Sequence, residues 1–308
     1  MKMPTSQRSR GSRRLRPQTM AITLRGGSPV RNRVGRMRII FCSIVVGIYA
    51  LAAIFGPIIA NFDPVRTHTR DRLLGPGSVL SDGSTALLGT DQVGQDVFAQ
   101  MLLGARVSMT VGIATLLLAG IIGVTLGLLA GHFGGWLDSV LMRLADIQLS
   151  FPSILLAIFI AAVLGPSVVN VIVVLAITNW VTFARVTRSQ VLSLKNREYV
   201  DAARTLGAGN WHLIVKTILP GCIAPILVVA TVEIGHVILA EAALSFLGLG
   251  TPASTPSWGM TIANGRSYLG DAWWISTLPG IALALLVLTC GVLGDALRDR
   301  YDPKMRSL

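Results

Sequence analysis

From Thr217 to Gly250 the chain is apolar except for two carboxylates, Glu233 and Glu241. An ionised side chain in hydrocarbon is costly unless it is paired or faces water, so both need a physical account. His236 follows Glu233 by three residues. On a helix this puts the two on one face, where they can hydrogen-bond or line a polar path together. Glu241 lies about 12 Å farther along the same helix, at 1.5 Å per residue. Glu233, His236 and Glu241 are therefore candidates for a translocation pathway. The plainer reading is a set of protonated or paired carboxylates buried against another subunit.

Other chemistry has no visible carrier. No G-x-x-x-x-G-K-[ST] run is present to cradle nucleotide phosphates, so the chain is not expected to be its own ATPase. A G-x-S-x-G elbow and an H-E-x-x-H pair are also missing, and His68, His132, His212 and His236 are scattered. Cys42, Cys222 and Cys290 fall in apolar stretches without ligand spacing and read as packing residues. No catalytic residue and no metal site are expected.

The polar stretch that stands out is Arg185 to Pro220, about 35 residues between apolar segments. Loops of that length usually have work to do. Tyr199 to Leu206 reads as a short helix, with Ala202 and Ala203 between Asp201 and Arg204, and Gly207 as its C-terminal cap. A second helix follows, with Asn210 as its cap, Trp211, Ile214, Val215 and Ile218 apolar at helical spacing, and Pro220 closing it. Small residues let another backbone approach closely, so the hairpin suits a rigid lever docking into a partner's cleft. A basic amphipathic hairpin lying on headgroups has the same pattern.

The elements that must position these residues are membrane helices. Of the 308 residues, 52% are hydrophobic and 14% charged, and the mean hydropathy is +0.64, far from a soluble domain. A bilayer core takes about 20 apolar residues per helix. Charge-free stretches of that kind run from Ile39 to Ala60, Val107 to Leu137, Ile147 to Ala184 and Ala272 to Gly294, in addition to the segment holding the two glutamates. Gly165, Pro166 and Ser167 divide the third into helices at about Leu144–Leu164 and Val168–Ala184. The expected fold is an all-α membrane protein with six transmembrane helices.

Basic residues favour the cytoplasmic side. With the N-terminus inside, 22 of the 27 Lys and Arg residues fall in cytoplasmic segments and five outside. Both termini are then cytoplasmic in a multi-pass plasma-membrane protein. The net charge of +12 is accounted for by topology and lipid headgroups, without nucleic acid. Residues 1–38 form a basic tail without an acidic residue, expected to be disordered against anionic lipid. A transit peptide has a similar composition, and Met20 or Met37 are alternative starts. Residues 39–60 form the first span, 61–106 an extracytoplasmic segment, 107–296 a five-helix core containing the loop 185–220, and 297–308 a cytoplasmic tail.

Gly123, Gly127 and Gly131 recur every fourth residue and permit close helix approach. Asp91 reads as a helix cap in an outer lip. Trp258, Trp273 and Trp274 near the outer ends of the last spans read as interfacial anchors.

Asp201-Ala202-Ala203, then Gly207 after three intervening residues, and Ile218-Leu219-Pro220 after a further ten resemble the EAA signature of permease subunits of ABC importers. Asp201 stands for the usual Glu, and Thr217 for an aliphatic residue. Leu88-Gly89-Thr90-Asp91 with Gly94 and Asp96, then Gly104-Ala105-Arg106-Val107-Ser108, resembles the second span of dipeptide and oligopeptide permeases, with Gln95 for the usual Arg. Met142-Arg143 with Asp146 and Ser150-Phe151-Pro152, Leu244 to Gly250, Trp258-Gly259, and Gly294 to Asp299 with Asp302-Pro303 extend the likeness from Ile39 onward.

The resemblance implies the C-type member of a permease pair with the type I, methionine-importer-like fold. It further implies a homologous second permease, two ATPase subunits that carry ATP and Mg, and an extracytoplasmic solute-binding protein, with no cofactor on this chain. Asp201, Ala202, Ala203, Gly207, Leu219 and Pro220 would form the ATPase-coupling loop, and di- or oligopeptides would be the solute. The competing reading is an ion-coupled secondary transporter using Glu233 and His236.

Overall fold

The computed structural model describes residues 29–59, 67–252 and 254–301. Helix α1 (Pro29–Ile59) starts ten residues before the expected first span. Helical hydrogen bonds need no hydrocarbon to continue, and Arg is a good helix former. The tail 1–38 is thus helical over its last ten residues, and residues 1–28 lie outside the described residues. A two-stranded hairpin follows, β1 (Ser78–Val79) with β2 (Thr85–Ala86).

Helix α2 (Val97–Phe133) has 37 residues, about 55 Å at 1.5 Å per residue. It also starts ten residues earlier than expected, so the outer segment ends at residue 96 and Arg106 is helical. The reason is a cap: the Asp96 carboxylate accepts from Phe98 N at 2.9 Å. Burial pushes the Asp96 carboxyl up from its ordinary range, against the N–H groups of Phe98 and Ala99, which favour the charged form.

The largest departure is the third span. In place of one helix over Leu144–Leu164 there are two, α3 (Gly135–Leu149) and α4 (Ser153–Leu164), bent by 87°. Pro152 supplies no N–H and biases Phe151 away from helical backbone, so the chain turns there. Gln148 fixes the break against α5 (Val168–Leu194). Its Nε2 donates to Ile177 O at 2.9 Å and Thr178 O at 3.0 Å, and its Oε1 accepts from Trp180 Nε1 at 2.8 Å.

Two short helices, α6 (Glu198–Thr205) and α7 (Asn210–His212), lead through a π turn at Leu213–Ile218 into α8 (Leu219–Phe246). Helices α9 (Trp258–Gly265) and α10 (Trp274–Tyr301) complete the described chain. Among the described residues five helices are long and apolar enough to cross a membrane alone, and a sixth crossing is made only by α3 and α4 together.

The glycine repeat is a backbone contact between α2 and α5. A Cβ added at Gly123 would come within 2.3 Å of Trp180 O, at Gly127 within 2.5 Å of Ala184 O, and at Gly131 within 2.7 Å of Val191 Cβ. No side chain fits there. At Gly120, on the same helix, an added Cβ meets nothing within 4 Å. Gly123→Val should therefore destabilise the bundle by about 1–3 kcal/mol or more, read as a lower melting temperature in detergent, while Gly120→Val should leave the melt nearly unchanged.

Candidate functional site

The polar loop is built as a helix, a glycine joint and a second helix. Val200 anchors α6 in a buried cluster with Leu128, Val191, Leu213, Ile214, Ile218 and Cys222, which joins the loop to α2, α5 and α8. Asp201 and Ala202 are exposed and Ala203 is half-buried. Gly207 N donates to Arg204 O at 3.0 Å and Ala208 N to Ala203 O at 3.1 Å, with Gly207 at φ +85°. This is a Schellman closure, which needs a left-handed residue after the helix. Arg204 pairs with Asp201 at 3.2 Å, and Thr205 Oγ1 donates to Asp201 O at 2.9 Å.

Beyond the joint, two sequence readings are corrected. Gly209, in extended backbone, precedes the helix, and Asn210 is its first residue. The Asn210 Oδ1 instead lies 3.3 Å from His132 Nε2 at the end of α2. Pro220 does not close the second helix. It sits in the first turn of α8, directly after the π turn at Leu213–Ile218. Leu219 is half-buried beside it and Pro220 exposed.

Sequence spacing placed Trp211 with Ile214 and Ile218 on one apolar face. Both isoleucines are buried, but Trp211 is 76% exposed, close to Leu206 in sequence, which is 88% exposed. With Tyr199 they give the hairpin three exposed apolar side chains. The signal was available as large apolar residues flanking a glycine joint in a polar loop.

Ion pairs hold this end of the bundle. Arg188 grips Asp138 with two parallel bonds, one from Nε and one from Nη2 at 2.6 Å. Such bidentate pairs are among the stronger charge-assisted bonds. Arg185 meets Asp146 at 2.5 Å, and Lys195 Nζ donates to Gly131 O at 3.2 Å. Helices α2, α3 and α5 are tied where the hairpin is mounted.

The three intramembrane candidates separate. Glu241 is 0% exposed. Ser108 Oγ donates to its Oε2 at 2.9 Å and Ser245 Oγ to its Oε1 at 2.8 Å, and the Ser257 side chain is a third partner. Glu241 therefore stitches α2, α8 and the lead into α9 and faces none of the open surface of the chain. Glu233 and His236 do come together, at 3.7 Å, with side chains 13% and 66% exposed. Thr182 of α5 also bonds Glu233.

At the opposite end Asp91 orders a loop and does not cap a helix. Its Oδ1 accepts from Val93 N at 2.9 Å and Gln95 N at 2.8 Å, and its Oδ2 from Gln100 Nε2 at 2.6 Å. Trp258 and Trp274 are buried, against the anchoring role expected of them. Trp258 Nε1 donates to Met101 O at 3.0 Å and its ring fills the space that Gly104 leaves empty. Trp274 Nε1 donates to Thr90 O at 3.1 Å. Trp273 is half exposed.

Residues 123–307, which span the glycine seam, the hairpin and α8 to α10, match the family described as the binding-protein-dependent transport system inner membrane component. This chain belongs to that family. Among its relatives, the di/tripeptide transport system permease protein DppC of Pseudomonas aeruginosa is 43% identical over 83% of this chain and 84% of its own. The probable D,D-dipeptide transport system permease protein DdpC of Escherichia coli is 39% identical over 85% and 86%. The glutathione transport system permease protein GsiD of Pectobacterium atrosepticum is 42% identical over 71% and 73%. The fold is that of the inward-facing MetNI methionine ABC transporter, with a TM-score of 0.52 at 19% identity, covering 64% of this chain and 93% of that one. The permease is thus an ABC-importer inner-membrane subunit, and the ion-coupled reading gives way to it.

Removing one serine of the Glu241 cage tests its structural part. Ser108→Ala leaves a buried carboxylate short of a donor and should cost the permease about 1–3 kcal/mol. A melt of the detergent-solubilised protein would show the loss, with Ser139→Ala, at an exposed site, as the unaffected control.

Proposed function

We propose that the permease is the C-type subunit of a peptide importer and that α6, Gly207 and α7 form the hairpin on which an ATPase subunit docks. The observation that carries this is the mounting of the hairpin. Exposed Asp201, Ala202, Tyr199, Leu206 and Trp211 surround a joint whose inner side is fixed into the bundle core through Val200 and Leu213. A surface exposed to a partner and rigid toward the helices transmits displacement. The concentration of basic residues at this end supports a cytoplasmic hairpin and cytoplasmic termini.

On this reading ATP and Mg are bound and hydrolysed on two partner subunits. Closure of those subunits moves the hairpins of this chain and of a homologous second permease, and the helix bundles alternate between inward- and outward-open states. An extracytoplasmic binding protein delivers the solute at the opposite end. Short peptides are the solute that the names of the relatives favour. Glu233 and His236, on an incompletely covered face of α8, are the pathway residues of this scheme, and Glu241 is a strut.

Affinity purification of the tagged chain in mild detergent should recover a second permease and one or two ATPases. Recovery of the chain alone, with solute uptake after reconstitution without ATP, would refute the scheme. Gly207→Val is the sharper probe. An added Cβ at Gly207 meets nothing within 4 Å, so the strain comes from backbone alone, about 1–2 kcal/mol or more for a side chain at φ +85°. The variant should insert and assemble normally but hydrolyse ATP without proportionate uptake. Unchanged transport per ATP would count against docking at this joint.

A further inference from the structure

Two cavities adjoin at Pro256, at the end of the bundle away from the hairpin. The first, about 290 Å³, is lined by Arg106 and Thr110 of α2 among the apolar walls of Leu103, Val107, Val168 and Pro256. The second, about 230 Å³, is lined by Asp91, Gln92, Gln100, Thr261 and Asn264 together with apolar Val93, Pro256 and Met260.

Each cavity holds an unspent charge or dipole. Arg185, Arg188 and Arg204 each meet a carboxylate, and Arg266 lies over the Phe246 ring at 5.8 Å. Arg106 meets no carboxylate among the described residues. Arg106 is exposed at the mouth of its cavity, and its guanidinium presents a planar fork that matches a carboxylate. In the second cavity the Asp91 carboxylate is buried and has no cation partner among the described residues. Its Oδ1 takes two N–H donors but Oδ2 only one, which leaves an acceptor position open. Gln92 Oε1, on the same wall, is buried without a hydrogen-bond partner. Two open acceptors call for a donor-rich cation, and an ammonium brings three N–H groups.

The spacing selects the ligand. Gln100, which holds Asp91, and Arg106 are six residues apart on α2, about 9 Å of helical rise. An extended peptide advances about 3.3–3.6 Å per residue, so its two charged ends cover this distance at two or three residues. We propose that the adjoining cavities form a receiving site for a short zwitterionic peptide, its C-terminal carboxylate held by Arg106 and its N-terminal ammonium by Asp91 and Gln92. The occupant is the peptide solute of the function proposed above, so the site depends on that reading.

The test is ATP-driven uptake of radiolabelled trialanine by the complete complex in proteoliposomes, alongside the ATPase activity stimulated by trialanine-loaded binding protein. Arg106→Gln should lower uptake about ten- to hundredfold, the worth of a hydrogen-bonded charge, while stimulated ATPase stays within about twofold. Arg106→Lys should fall between. Asp91→Asn keeps an oxygen for the two loop N–H groups and lets the Gln100 amide flip, so it should lower uptake in the same selective way. Wild-type uptake in Arg106→Gln overturns the site and leaves Arg106 to lipid phosphates. Joint loss of uptake and ATPase stimulation also overturns it, in favour of docking or assembly. A wild-type complex that hydrolyses ATP but moves no trialanine refutes the peptide reading itself.

Discussion

Helices α2 and α5 approach closely at three successive glycines of α2, over about two turns, and the rest of the permease is arranged around that seam. In lipid there is no hydrophobic drive to bring one apolar helix onto another, so close van der Waals contact must hold them. Gly123, Gly127 and Gly131 make it available by removing every side chain from one stripe of α2. Once the two helices are locked, their far ends become a fixed platform. The Arg188–Asp138 and Arg185–Asp146 pairs add α3 to it, and the cluster around Val200 seats the docking hairpin on it.

Polar groups inside the bundle are used in two different ways. Glu241 has its oxygens occupied by serines and is fully covered, which makes it a cross-link between helices distant in sequence. Glu233 and His236 meet in one long contact, with Thr182 also on the carboxylate, and the imidazole is left largely uncovered. A buried polar network rigidifies when it is satisfied, and a half-satisfied one is where solute or a second subunit can intervene.

Much of this was legible in the sequence. Hydropathy located the spans because transfer to lipid depends on local composition, and the glycine period announced close contact because only period and size matter there. The helix, Gly207 and helix pattern was equally readable, since a glycine cap acts through neighbours in the chain. The ends of the helices were less so. Hydropathy measures what lipid tolerates and not where a helix stops, so α2 began at the Asp96 cap and not at Val107, and Pro152 broke a stretch of uniform hydropathy. Trp258 was misread for another reason. Whether an indole at a membrane boundary faces headgroups or the core depends on a gap opposite it. That gap is Gly104, more than 150 residues earlier in the chain.

The π turn at Leu213–Ile218 fits one more residue into the helix than α-helical winding would. Each residue turns a helix by about 100°, so this single extra residue sets the azimuth of everything after it on α8. Loss of one residue from this turn would rotate Glu241 out of its serine cage and swing His236 to another side, although both lie several turns away. The length of the stretch from Leu213 to Ile218 is therefore under tighter constraint than its composition, and insertions and deletions should be tolerated less well there than substitutions of like size.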